Sequence, residues 1–190
     1  MTRLTVLDET TAPAKAKPIL KSVRSKYGFI PNLVGELAAS PSALESYTTL
    51  SSLYGQTGLT PAEQQVVLLT TSRENNCGYC VATHSTVSQN NDLDRQVLTA
   101  LREGSVIDSD PRLEALSQFT ASIVRNRGLV EPADIDAFLA AGFTKANILD
   151  VMTGVTMKTM SNYINHIGET DLDEAFQPMA WSKPILQHAD

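Results

Sequence analysis

A chain of 190 residues, 42% hydrophobic and 19% charged, is long enough to bury a core without disulfide staples and has an ordinary globular balance. Its 15 basic and 21 acidic side chains leave a net charge of −6, with no run of lysine or arginine. Nucleic acid and anionic membrane surfaces are therefore disfavoured as partners, since both require concentrated positive charge.

The N-terminal run Met1 to Asp8 lacks the apolar stretch of a signal peptide. No segment approaches the roughly 18 consecutive apolar residues of a spanning helix, and there is no Asn-x-Ser/Thr sequon. The expected setting is cytoplasmic, where a paired CxxC is more often redox-active or metal-binding than structural.

Helices are expected over residues 13–27, 41–55, 61–75, 77–89, 92–103, 111–127, 132–141 and 145–167. Several starts are written as a capping residue followed by proline: Ser40-Pro41, Thr60-Pro61 and Asp110-Pro111. Proline at the first helical position loses only an amide hydrogen that had no intrahelical partner. Thr60-Pro61-Ala62-Glu63 is also a capping box. Behind the caps the apolar residues follow the helical period. They are Leu44, Tyr47, Leu50, Leu53 and Tyr54, then Leu113, Leu116, Phe119 and Ile123, then Ile148, Val151, Met152, Val155, Met160, Tyr163, Ile164 and Ile167. Met152, Met157 and Met160 read as adaptable packing, and the stripe of Tyr47, Leu50 and Tyr54 as core or a subunit face. A short helical turn is expected near 171–176. No period-2 alternation or hairpin dipeptide is present. The expected fold is all-α, one domain over 1–190, with a less regular tail over 177–190 that carries Pro178, Trp181 and Pro184.

Both cysteines of the chain fall in one run, Cys77-Gly78-Tyr79-Cys80-Val81-Ala82-Thr83-His84. With Asn76 as N-cap, Cys77 sits at about the first helical position and Cys80 one turn later. Free amides and the positive end of the helix dipole at that terminus favour a thiolate. At a reference pKa near 8.5 roughly 3% of a cysteine is ionised at pH 7, and a depression of about two units raises this to roughly three quarters. Side chains three apart on a helix have Cβ atoms about 5–6 Å apart, so closing a disulfide needs a small distortion of the first turn. His84 follows Cys80 by one turn on the same face, able to take its proton or to polarise a substrate oxygen. Cys77, at the helix tip, is expected to be the more exposed sulfur. Two other readings stay open. The cysteines can be small buried residues beside a surface histidine, or Cys77, Cys80 and His84 can supply three of the four ligands of a closed zinc site.

The stretch Leu59 to His84, with Ile30-Pro31-Asn32-Leu33, Ser40-Pro41 and Asn162-Tyr-Ile-Asn-His166 around it, resembles the carboxymuconolactone decarboxylase / AhpD-like alkylhydroperoxidase family. The resemblance implies an all-α homo-oligomer, free of cofactor and metal, that reduces hydroperoxides with electrons from a lipoyl- or thioredoxin-like dithiol donor. Carried over, Cys80 is the peroxidatic cysteine, Cys77 the resolving cysteine and His84 part of the proton relay. The family's relay glutamate falls on Gln65, which can hold a hydrogen bond but takes no proton at neutral pH. Glu63 is expected to be occupied in its capping box, while Glu74 either assists or is solvated at its helix end. Tyr79 can offer a hydrogen bond near the sulfurs or simply pack. A dithiol adaptor or sensor that exchanges with partner disulfides is the alternative function, favoured by the missing glutamate. His166 and the tail residue His188 are expected to be structural and solvated respectively, and Asn162 and Asn165 to hydrogen-bond across a helix contact.

Overall fold

The computed structural model describes residues 4–90 and 93–183. The predicted helix start at 92, and Pro184 and His188 of the tail, lie outside them. Nine α-helices follow in order: α1 Lys17–Tyr27, α2 Asn32–Leu37, α3 Pro41–Tyr54, α4 Pro61–Glu74, α5 Gly78–Asn90, α6 Arg95–Glu103, α7 Pro111–Arg125, α8 Pro132–Ala140 and α9 Lys145–Gly168. A 3-10 turn over Glu174–Met179 comes after them, and the described residues contain no strand. No helix among them is long and apolar enough to cross a membrane.

Several boundaries differ from expectation for local reasons. The first helix starts at Lys17, with Pro18 in its first turn, instead of at residue 13. A helix from 13 would hold Pro18 in its interior, where the ring clashes with the preceding turn. The six-residue α2 is too short to show a period. The C-terminal turn lies three residues later than predicted and includes Pro178. Ser40 makes no side-chain cap bond to α3, whereas Thr60 closes the predicted capping box and Asp110 accepts from the amides of Arg112 and Leu113.

Helix α4 is central, packed against α5, α6, α7 and α9. Its run Val66 to Ser72 is buried on every side, as expected of a helix without a polar face. The larger core gathers α4, α6, α7, α8 and α9 around Leu69, Leu101, Leu116 and Phe138. Within it Phe138 stacks between Phe119 and Phe143 at ring separations of 4.3 and 4.4 Å. At Gly154, α9 passes so close to α3 and α4 that a Cβ would meet Tyr54 at 2.7 Å and Val67 at 2.9 Å. A second, smaller cluster joins α1, α2 and the start of α3 to Cys77, Tyr79, Cys80 and Phe176. The dithiol thus lies where the second cluster meets α9.

The inward face of α9 is not the apolar stripe expected throughout. Val151 and Val155 are buried, but Tyr163 and Ile167 of the predicted stripe are exposed. In the second half of the helix the buried polar residues are Lys158, Ser161, Asn162 and Asn165, beside Met157 and Gly168. The four polar positions are i, i+3, i+4 and i+7, one face of a helix, and that face meets the cysteines.

Candidate active site

The turn between α4 and α5 sets both sulfurs. Asn76 has a φ of 57° and is the left-handed residue that ends α4, not the N-cap of α5. Its amide donates to Arg73 O and the amide of Cys77 donates to Ser72 O, both at 2.9 Å. This is a Schellman ending, and asparagine tolerates its left-handed position better than other non-glycine residues. Cys77 therefore caps the helix that starts at Gly78, and its sulfur accepts the amide hydrogen of Cys80. Cys80 sits at the third helical position.

Both thiols are free and each is 1% exposed, so Cys77 is not the accessible sulfur the sequence suggested. The helix tip is covered. The Trp181 carbonyl lies so close to Gly78 that a Cβ there would meet it at 2.8 Å, and α9 closes the other side. Asn165 Nδ2 donates to Cys80 Sγ at 3.1 Å and stands 3.7 Å from Cys77 Sγ. The Ser161 hydroxyl lies 3.8 Å from Cys80 Sγ and 2.9 Å from the Lys158 carbonyl. Asn162 accepts from Asn75 Nδ2 at 3.0 Å, tying the end of α4 to α9.

The two cysteines are held in unequal states. Burial pushes the Cys80 thiol up, but a hydrogen bond from Cys77, the Lys158 ammonium and the Ser161 hydroxyl outweigh it and bring the group down to about 5. Cys77, donating its hydrogen to that thiolate and buried beside it, is pushed far above the ordinary thiol range. At pH 7 the pair is one thiolate, Cys80, and one thiol, Cys77.

No hydrogen bond joins His84 to Cys80 among the described residues; both bond Lys158 instead. Lys158 Nζ lies 2.7 Å from His84 Nε2, and His84 Nδ1 lies 3.0 Å from Gln65 Oε1. An ammonium has only donors, so Nε2 must be the ring's acceptor and Nδ1 carries the hydrogen given to Gln65. Burial and the neighbouring Lys158 charge hold the imidazole well below its usual pKa. His84 and Gln65 are half-buried, whereas Lys158 is 1% exposed. The phenol of Tyr47 faces Lys158 and Ser161 from α3, kept neutral by burial.

The structure thus gathers Cys77, Cys80, His84 and Gln65, and adds Lys158, Ser161, Asn162 and Asn165, none of which the sequence reading placed with the sulfurs. Their signal was available: a lysine and three small polar residues at helical spacing inside an otherwise apolar segment. Two predicted helpers stand elsewhere. Glu74 is held by Arg73 at 2.6 Å and Arg125 at 2.7 Å. The Tyr79 hydroxyl donates to Asp173 at 2.5 Å and accepts from Leu33 N at 3.5 Å, joining α5 to α2 and to the C-terminal turn. Glu63 completes its capping box and also pairs with Arg112 at 2.8 Å. His166 is exposed beside Tyr163. No cluster of three or more histidine, cysteine, aspartate or glutamate side chains with metal-holding geometry occurs among the described residues. Since His84 spends both nitrogens on Gln65 and Lys158, the zinc reading of Cys77, Cys80 and His84 is set aside.

No family model and no curated protein matches the chain by sequence. Solved structures do. An uncharacterised peroxidase-related protein from Ralstonia eutropha, described as an alkylhydroperoxidase AhpD core, superposes with a TM-score of 0.80 at 22% identity, over 94% of this chain and 95% of that one. A peroxidase-related protein from a Silicibacter species gives 0.77 at 20% identity over 92% of both chains. The debrominase Bmp8, in complex with 2,3,4-tribromopyrrole, gives 0.79 at 13% identity over 94% and 96%. At these identities the likeness is one of fold: the chain has the AhpD-like all-helical fold, and its structural neighbours include a debrominase as well as peroxidase-related proteins.

Proposed function

We propose that the protein is a thiol-dependent peroxidase that reduces organic hydroperoxides or hydrogen peroxide through a Cys77–Cys80 dithiol/disulfide cycle. The observation that carries this reading is the asymmetric pair: a buried Cys80 thiolate facing Lys158, with the Cys77 thiol bound to it. The thiolate is the nucleophile that peroxide reduction requires. Attack on the peroxide oxygen makes an S–O bond, breaks the O–O bond and leaves Cys80 as a sulfenic acid. Cys77 condenses with it, releasing water and closing the disulfide, and a dithiol donor restores the pair. Asn165 Oδ1 is buried without a hydrogen-bond partner. Because Nδ2 of the same amide already contacts Cys80, this oxygen is placed to accept the hydroxyl hydrogen of a hydroperoxide or of the sulfenic acid.

Both sulfurs are 1% exposed, so the dithiol donor of this cycle and the partner disulfide of the adaptor alternative alike must reach a buried pair. The debrominase neighbour favours a second electrophile for the same thiolate, a halogenated aromatic ring. Hydroperoxide consumption by reduced protein with excess dithiol tests the first reading. Cys80→Ser is expected to abolish turnover and Cys77→Ser to allow one round only. Full turnover in both variants overturns the mechanism. Bromide release from a bromopyrrole without peroxide consumption transfers the assignment to dehalogenation.

A further inference from the structure

We propose that Lys158 is the acid of this site, giving up its proton when the Cys80 thiolate beside it is consumed. The inference builds on the peroxidase reading above, although its test uses no peroxide. The leaving alkoxide of a hydroperoxide needs a proton. The group expected to supply one, a glutamate at position 65, is here the amide Gln65, and His84 donates its one ring hydrogen to that amide at 3.0 Å.

Lys158 is the proton-bearing group that remains. It is 1% exposed, in the middle of α9, where it donates to the neutral imidazole at 2.7 Å and hydrogen-bonds the Cys80 sulfur. No carboxylate pairs with it among the described residues. The groups that face it are Tyr47 from α3, Cys77, Cys80 and His84 from α5 and its cap, and from α4 the uncharged Gln65. The carboxyl of Glu36, on α2, lies against Gly168; ten residues further along the helix, that is about 15 Å away. The Cys80 thiolate is the anion that keeps the ammonium charged against its burial, which by itself favours the neutral amine.

Oxidation removes that anion. When Cys80 attacks, sulfur gives two electrons to the peroxide, the S–O bond forms and the O–O bond breaks. The alkoxide takes a proton from Lys158, giving alcohol, sulfenic acid and a neutral amine. The amine is then the base for Cys77, whose thiol is otherwise held protonated. As the Cys77 sulfur displaces hydroxide from the sulfenic acid, the proton passes through Lys158 to that hydroxide and leaves as water. The disulfide state therefore holds Lys158 neutral, and reduction returns two protons to the protein, one to Cys77 and one to Lys158.

The thiol–disulfide equilibrium of the intact protein against dithiothreitol, measured from pH 6 to 8 with thiolate absorbance recorded alongside, reads this directly. Dithiothreitol also releases two protons on oxidation in this range. The equilibrium constant is therefore expected to stay within about twofold while absorbance shows Cys80 ionised throughout. If Lys158 remains charged in the disulfide state, only one proton is taken up and the constant rises about tenfold per pH unit; that result, or the absence of thiolate absorbance, overturns the proposal. Lys158→Arg keeps the charge but releases no proton. It is expected to retain the thiolate and to show the tenfold slope, and a flat response there assigns the proton to another group. Should the arginine not be accommodated, the wild-type slope alone decides. Failure of peroxide turnover with a flat wild-type slope would overturn the peroxidase reading and leave the proton coupling intact.

Discussion

Lys158 donates to Nε2 of His84 across 2.7 Å, and this one contact decides the state of the imidazole. With Nε2 occupied as an acceptor, the ring hydrogen lies on Nδ1 and is given to Gln65 at 3.0 Å. Glutamine is suited to the place because its amide oxygen accepts without adding a charge that would draw a second proton onto the ring.

Gln65→Glu reverses that. A carboxylate at Nδ1 favours imidazolium, so the His84 pKa is expected to rise by about 1–3 units from its depressed wild-type position. The imidazolium would then face the Lys158 ammonium, and one of the two must lose its proton. Imidazole resonances followed by NMR against pH check this. Gln65→Leu should instead leave Nδ1 without an acceptor and lower stability by about 1–3 kcal/mol in thermal unfolding.

The Cys80 ionisation fixes a pH profile. A thiol at about 5 is ionised above that pH and protonated below it. The second-order rate with hydroperoxide, or with a small alkylating reagent, is therefore expected to be level from pH 6.5 to 8 and to fall about tenfold per unit well below 5. Lys158→Met removes the positive charge and returns Cys80 toward or beyond the ordinary thiol range, cutting the thiolate at pH 7 from nearly all to roughly 3%, a loss of about 30-fold in rate. Stopped-flow rates on both proteins decide it; an unchanged rate in the variant would remove Lys158 from the account of the thiolate.

The helices were legible because their starts are written in local chemistry: Thr60 with Glu63, Asp110, and prolines at first-turn positions act within four residues. The dithiol and His84 were legible as a spacing on one helix. What the sequence reading missed is carried by α9, about 80 residues away in sequence, where Lys158 and Asn165 meet the sulfurs. Reading only apolar periodicity there assigns Tyr163 and Ile167 to the core, yet both are exposed. A buried lysine looks like an exposed one until its anion is known, and that anion lies on another helix. The burial of Cys77 has a similar cause, since the helix tip at the neighbouring Gly78 is covered by Trp181, from the C-terminal segment.

The turn at Asn76 makes a sharper test of how the dithiol is positioned. Its left-handed φ of 57° is tolerable for asparagine and free of strain for glycine, while a β-branched side chain clashes there. Asn76→Gly is expected to change stability by a few tenths of a kcal/mol, whereas Asn76→Val costs about 1–2 kcal/mol. Because Cys77 is the next residue and bonds Ser72 through its amide, the valine variant should also raise the Cys80 pKa as the cap shifts. Chemical denaturation and a thiolate titration on the same two variants separate the two effects. A stable valine variant with an unchanged titration would show that the Schellman turn does not govern the dithiol.

The outer face of α9 bears on assembly. On this helix Lys158, Ser161, Asn162 and Asn165 point inward, whereas several apolar side chains point out. Leu149, Met152, Tyr163 and Ile167 are 69%, 38%, 55% and 60% exposed. They recur at helical spacing along 18 residues, about 27 Å of one helix face. A strip of that length, exposed among the described residues, matches a subunit contact better than a solvated surface. The homo-oligomer that the family resemblance implies is therefore expected to pack through α9, with each copy's Lys158 and Cys80 directly behind the contact. Light scattering should give a mass at least twice the 20.6 kDa of one chain. The double substitution Tyr163→Glu with Ile167→Glu should return it to the single-chain mass, since a carboxylate on each facing copy cannot be desolvated without a partner. A wild-type protein already at the single-chain mass would rule out the oligomer. An oligomer that survives the double substitution would move the contact to another face, with Leu129 after α7, Leu53 on α3 and Tyr27 at the end of α1 among the other exposed apolar positions to test.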